Sequence, residues 1–167
     1  MNFCKRIFAA VVFLFFPFSI FSMGIGVQTD SAFGFSTAKN EKFFPAGIAC
    51  TIKNDNYPIV LAFCTDFDKL QNSFEFYFTA DYWIFRPHIS SNCIFFAGPG
   101  TAAGTSLGSD FFAIYIAPRA VFGLSWILYD GFLEPFVQLG IQPETRLSGN
   151  LDVAIKFPLN LGVRFYY

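Results

Sequence analysis

Apolar and polar residues alternate along most of this chain with a period of two, which marks strands whose two faces meet different surroundings. The longest run ends the sequence. Leu151, Val153, Ile155, Phe157, Leu159, Leu161, Val163, Phe165 and Tyr167 share one face, and Asp152, Ala154, Lys156, Pro158, Asn160, Gly162, Arg164 and Tyr166 share the other. Residues 73–85 repeat the pattern, with Phe74, Phe76, Phe78, Ala80, Tyr82 and Ile84 against Ser73, Glu75, Tyr77, Thr79, Asp81 and Trp83. In residues 112–126, Phe112, Ile114, Ile116, Phe122, Leu124 and Trp126 oppose Ala113, Tyr115, Ala117, Arg119, Val121, Gly123 and Ser125. Pro118 falls on the apolar face there; lacking a ladder donor, it predicts a bulge.

Shorter alternating sets occupy 24–34, 48–53, 59–63 and 135–141, and the run 93–103 adds a strand whose facing the pattern does not assign. The total is about eight strands, the smallest membrane-barrel size. The last run far exceeds the ~5 to 6 residues usual in globular sheets and suits the ~9 to 11 needed to cross a bilayer obliquely. Asn54-Asp55-Asn56, Arg86-Pro87 and Asp130-Gly131 read as tight connections, whereas 36–45, 66–72, 101–110 and 142–150 are richer in charge, Gly and Ser. Short turns alternating with longer loops are what an up-and-down barrel predicts, with the longer loops outside.

Composition decides which face looks outward. The chain is 54% hydrophobic, 21% aromatic and only 14% charged, against about 25% charged in soluble domains. A water-soluble barrel with an apolar cavity needs charge on its outside. Here the polar faces are mostly Ala, Gly, Ser, Thr and Tyr with isolated charges, which suits a crowded interior, while Phe, Ile and Leu suit lipid. The expected fold is therefore all-β: an eight-stranded antiparallel up-and-down transmembrane β-barrel. Asp30, Lys53, Glu75, Asp81, Arg119, Glu134, Lys156 and Arg164 are then predicted to form a polar network in the lumen, acidic and basic in equal number. An unpartnered buried charge costs several kcal/mol, so these groups are expected to pair and fill the interior rather than to line an ion path. Tyr57, Tyr82, Trp126, Tyr129, Phe132, Tyr166 and Tyr167 are expected to form interfacial girdles.

Residues 1–24 read as a cleaved signal peptide, with Lys5 and Arg6 ahead of an apolar run and small residues at Ser22-Met23-Gly24, leaving a barrel of residues 25–167. The run is short for a membrane helix and Pro17 interrupts it. Cleavage removes two of the 11 basic residues and none of the 12 acidic ones, so the net charge goes from -1 to -3. No clustered basic surface for nucleic acid results. Cys50, Cys64 and Cys93 remain, an odd number without C-x-x-C spacing, and suit packing better than a disulfide framework or a zinc site.

Other motifs offer little chemistry. Gly98-x-Gly100-x-x-Ala103 imitates a dinucleotide fingerprint, but residues 104–110 have no helical period to hold a pyrophosphate. Gly123-Leu124-Ser125 starts like a nucleophile elbow inside a strand pattern and lacks the second glycine. His88 is the single histidine, which excludes multi-histidine metal sites, and no cofactor is expected. His88-Ile89-Ser90 with Asn92 is similar to the His-x-Ser arrangement of lipid A deacylases, yet no acidic residue follows until Asp110, so a turn histidine is the favoured reading and the chain is expected not to be an enzyme.

Several segments carry a family resemblance: Gly98-Pro99-Gly100, Pro118-Arg119, Gly123-Leu124-Ser125-Trp126, Glu134-Pro135-Phe136-Val137, and residues 158–165. Over residues 73–167 the chain resembles the small outer-membrane barrels of the OmpA and OmpW shape, and most of all eight-stranded barrels of spirochaetes. Its end, with Val163, Phe165 and Tyr167 at alternate positions, resembles the C-terminal signal that such barrels present to their assembly machinery. The resemblance implies a bacterial outer-membrane location, contact with outer-membrane lipid and the barrel assembly machinery, a monomer, and outer loops available to a host or environmental ligand. Such families have no settled activity; a structural or adhesive role is the expectation, with a narrow or lateral path for small hydrophobic molecules, as in OmpW-like barrels, as the competing one.

Overall fold

The structure is a computed structural model and describes residues 23–36, 42–54, 57–70, 72–108, 112–148 and 151–167. Nine strands are described: β1 (Met23–Ser36), β2 (Lys42–Phe43), β3 (Pro45–Asn54), β4 (Ile59–Asp68), β5 (Ser73–Tyr82), β6 (Cys93–Gly108), β7 (Phe112–Trp126), β8 (Leu133–Leu147) and β9 (Leu151–Tyr166). β2 is a two-residue pairing on the end of β1. The other eight form one antiparallel meander that closes where β9 pairs with β1, so the sheet has no free long edge. The expected leader at 1–24 lies almost wholly outside the described residues; β1 takes in its last two, Met23 and Gly24.

The register sets the shape of the cylinder. Gly24 pairs with Lys53, Lys53 with Val60, Val60 with Asp81, Asp81 with Gly100, and Gly100 with Arg119. The β7–β8 register carries Arg119 to Gln142, Gln142 pairs with Lys156, and Lys156 pairs with Gly34. The circuit thus returns to β1 ten residues beyond its start. Over eight strands, with ~3.3 Å per residue and ~4.8 Å between strands, that stagger tilts the strands by about 40°. Strands of 14–16 residues (β1 and β6–β9) then rise above the ~25 Å apolar band typical of such barrels, whereas the 10-residue β3, β4 and β5 just span it.

Alternation holds on every long strand: the outward face is almost wholly large and apolar, and the inward face carries small and polar residues with a few rings such as Phe96 and Phe136. In β6, whose facing the sequence left open, Ile94, Phe96, Gly98, Gly100, Ala102, Gly104 and Ser106 line the interior side. Inward glycines make room for neighbouring aromatics. A Cβ at Gly123 would strike the Phe96 ring, and one at Gly162 the Phe136 ring.

Four expectations are corrected. Strand takes in 66–68, 101–108 and 142–147, because polar or small residues there sit at every second position and point inward; strands resume after only 69–72, 109–111 and 148–150. Arg86-Pro87 is no tight turn. It belongs to the connection 83–92, which extends the β5–β6 ladder through the bridges Phe85↔Ala97 and His88↔Ile94. Pro118 causes no bulge: the register is the same at Ile116↔Thr145 and Ala120↔Ile141, and within it Pro118 falls opposite Pro143, so two residues without donors face each other. Tyr166 is not in a girdle; it is buried and bonds inside the barrel.

The other girdle residues, Tyr57, Tyr82, Trp126, Tyr129, Phe132 and Tyr167, are exposed, and all lie at the barrel end that carries Met23 and Tyr167, the termini of the described chain. Tyr129 and Asp130, with φ of 53° and 55°, turn β7 into β8 at that end together with Gly131.

Candidate functional site

Tilted strands with small inward residues leave a narrow interior, and the polar side chains that fill it form three groups along the axis. At the end carrying the termini, Glu134 of β8 is the hub. Lys53 Nζ donates to its Oε1 at 2.7 Å, Arg164 Nη1 lies 3.4 Å from Oε2, and the Tyr166 hydroxyl also donates to Oε2. Arg164 Nε donates to Thr51 Oγ1 at 3.3 Å. The cations rest on rings: the Arg164 guanidinium is 3.8 Å from the Phe136 centroid and 5.2 Å from Trp83, and Lys53 Nζ is 5.1 Å from Trp83. Trp83 stacks on Phe96 at 3.6 Å. Ring faces carry negative potential, so they take up part of the positive excess that one carboxylate leaves.

Mid-barrel, Arg119 Nε lies 3.1 Å from Asp81 Oδ1, and Gln138 Nε2 donates to Asp81 Oδ2 at 3.1 Å. Around and above them lies a layer of small side chains and two tyrosines: Ala49, Ala62, Cys64, Tyr77, Ala102, Tyr115 and Ala117. Cys64 is a packing residue here, Cys50 faces outward and Cys93 is half-buried; all three are free thiols.

Toward the far end the contacts become a continuous chain. The Tyr77 hydroxyl lies 2.6 Å from Asp30 Oδ2 and 3.0 Å from Asp66 Oδ2. Lys156 Nζ lies 3.3 Å from Asp66 Oδ2 and 3.2 Å from Glu75 Oε2. Arg146 Nη2 joins Glu75 at 3.1 Å to Glu144 at 2.6 Å, and Gln142 Nε2 donates to Glu144 at 2.8 Å. Arg146 also covers the Phe43 ring at 4.8 Å. At the rim the Asp68 carboxylate accepts from the backbone N–H groups of Phe44 and Leu70 and pins two connections.

All eight residues expected in the lumen are buried on the inner side. The geometry divides them: Lys53, Glu134 and Arg164 at one end, Asp81 and Arg119 in the middle, Glu75 and Lys156 beyond, with Asp30 joined through Tyr77. Sequence reasoning missed Asp66, Gln142, Glu144 and Arg146, having assigned their segments to loops. The signal was present, since Gln142, Glu144 and Arg146 alternate with Ile141, Pro143, Thr145 and Leu147. Val163, half-buried, and Phe165 share the outward side of β9, and exposed Tyr167 follows the strand.

His88 and Ser90 are exposed beside the termini, and among the described residues no hydrogen bond joins either to a carboxylate or to each other. Gly98 and Gly100 lie inside β6, away from any helix. Among the described residues no group of three His, Cys, Asp or Glu side chains is placed to hold a metal ion.

No family model matches the sequence, and neither does any curated protein. Solved structures do match. Neisserial surface protein A, NspA, is similar with a TM-score of 0.57 and 16% identity over 87% of this chain and 97% of that one. Ail, the attachment invasion locus protein of Yersinia pestis, is similar with a TM-score of 0.55 and 9% identity over 88% of this chain and 99% of that one. The chain has the fold of the small eight-stranded outer-membrane β-barrels.

Proposed function

We propose that the chain is a monomeric integral protein of the bacterial outer membrane, a barrel with a side-chain-filled lumen that holds a surface-contact rim outside the cell. One observation carries this reading: large apolar side chains point outward on all eight long strands, while the ionised ones are buried inside and joined to one another. A monomer in water rarely exposes a contiguous apolar patch above a few hundred Å²; here the whole wall is one, and acyl chains are the matching surroundings.

In this reading the end with the termini faces the periplasm. Its exposed tyrosines and Trp126 sit at the headgroup level, and Val163, Phe165 and Tyr167 serve as the assembly signal. The far rim, made of the extended ends of β1 and β6–β9 with short connections, is the part offered to the environment. The attachment named for the Yersinia pestis protein supports a contact role of this kind, and the motifs in residues 73–167 favour a spirochaete-type subfamily.

The test is threefold. The folded protein in detergent migrates differently before and after heating on gels, a tag within 148–150 is reachable from outside intact cells, and planar bilayers containing the protein stay silent. Steady discrete conductance overturns the filled lumen. Recovery of the processed chain as a detergent-free soluble monomer overturns the membrane assignment.

A further inference from the structure

The far-end chain contains more carboxylate than its cations neutralise. Asp30, Asp66, Glu75 and Glu144 stand against Lys156 and Arg146. The surplus collects at Asp30 and Asp66, each only 1% exposed. Both approach the same hydroxyl, and Oδ1 of each has no hydrogen-bond partner.

A hydrogen count then applies. The Tyr77 hydroxyl carries one hydrogen, and an ionised carboxylate only accepts. Its oxygen lies within hydrogen-bonding distance of two carboxyl oxygens, at 2.6 Å and 3.0 Å. With both aspartates ionised, one of those contacts would bring two oxygens together with nothing between them. Lys156 does not supply the missing hydrogen to Asp30, because its ammonium is directed to Asp66, Glu75 and, at 3.5 Å, the Tyr77 oxygen. The other ionisable groups close to the triad are Cys64 from β4, whose thiol lies beside Asp30, Glu75 and Asp81 from β5, and Tyr115 and Arg119 from β7. Arg119 is engaged with Asp81, and Arg146 with Glu75 and Glu144.

We infer that the Asp30–Tyr77–Asp66 triad is a proton-binding site, in which one hydrogen beyond the phenol's own is held by the two carboxyl groups and shared through the Tyr77 hydroxyl. The protonated carboxyl donates to the Tyr77 oxygen, and Tyr77 donates to the other. Uptake of H⁺ from solvent forms one carboxyl O–H bond, release breaks it, and no other bond changes. Asp81 is placed differently: Gln138 donates to its Oδ2, and Arg119 Nε lies 3.1 Å from its Oδ1. The inference goes beyond the proposed function and rests only on the lumen geometry, so it stands or falls in detergent whatever the cellular location.

Infrared spectroscopy of the folded protein tests it, with heat-dependent gel migration first confirming the fold of each variant. At neutral pH the wild type shows the carbonyl stretch of a protonated carboxylic acid, shifted by deuterium exchange. Asp30→Asn and Asp66→Asn each place an amide donor toward Tyr77, so each removes that band while leaving gel migration unchanged. Stability tests it independently. A folded state holding one proton more than the unfolded chain loses stability as pH rises, and either Asn variant flattens that slope. Absence of the band in the wild type, or its persistence in both variants, overturns the proposal. So does a stability that follows potassium or magnesium concentration with no acid band, which would mark a metal cation as the neutralising ligand.

Discussion

The two ends of the lumen handle buried charge in opposite ways. Near the termini two cations share one carboxylate, and the positive excess lies against Trp83 and Phe136. At the far end carboxylates outnumber cations and are strung in a row from Asp30 to Glu144, each cation bridging two of them. A hub concentrates its stability in one residue, whereas a chain spreads it over several. The first kind of site is rigid and vulnerable at a point, and the second adjusts when a member is lost.

The largest effect is therefore expected from Glu134→Gln. The amide keeps the shape and removes the negative charge from beneath Lys53 and Arg164, and uncompensated buried charge costs about 3–5 kcal/mol. Unfolding of the detergent-folded barrel in urea should show a loss in that range. Lys156→Met should cost less, about 3 kcal/mol, because Arg146 still reaches Glu75 and Tyr77 still reaches Asp66. If Lys156→Met proves the more damaging, the hub-and-chain contrast is wrong. Tyr166→Phe sharpens the same comparison at smaller scale. It removes one donor to an ionised acceptor and leaves Lys53 and Arg164 in place, so about 1.5–3 kcal/mol should be lost.

What was legible in the sequence follows from the same physics. Alternation revealed facing wherever the two faces differ in chemistry, as in β5 and β9, and it placed the hub residues inward without any knowledge of their partners. In β6 it gave no facing, since Gly98, Pro99, Gly100, Ala102 and Ala103 put small residues on both sides. Loop lengths were misjudged because charge and glycine were taken as signs of solvent. In a closed membrane barrel polar residues mark the lumen, so Asp66, Glu144 and Arg146 continue strands. Pairing partners were out of reach for another reason: Lys53 meets Glu134 across 81 positions of sequence, and only the ten-residue stagger aligns them.

The contrast extends from the interior to the wall. Near the termini β8 pairs without a break with β9 from Leu133 to Leu139. Farther along, the β7–β8 pairs stop between Ala120↔Ile141 and Ile116↔Thr145, where Pro118 and Pro143 fall opposite, and the β8–β9 pairs stop between Leu139↔Leu159 and Gln142↔Lys156, where Pro158 falls opposite Gly140. Within 140–144 each residue of β8 thus keeps a pair on one side only, Gly140 and Ile141 with β7 and Gln142, Pro143 and Glu144 with β9. A stretch held on one side opens more readily than one paired on both, as Val137 and Leu139 are. In native-state hydrogen exchange the amides of Ile141, Gln142 and Glu144 should exchange well before those of Val137 and Leu139 on the same strand. Equal protection along β8 would mean that the prolines are absorbed without loosening the wall, and would confine the difference between the two ends to the side chains inside.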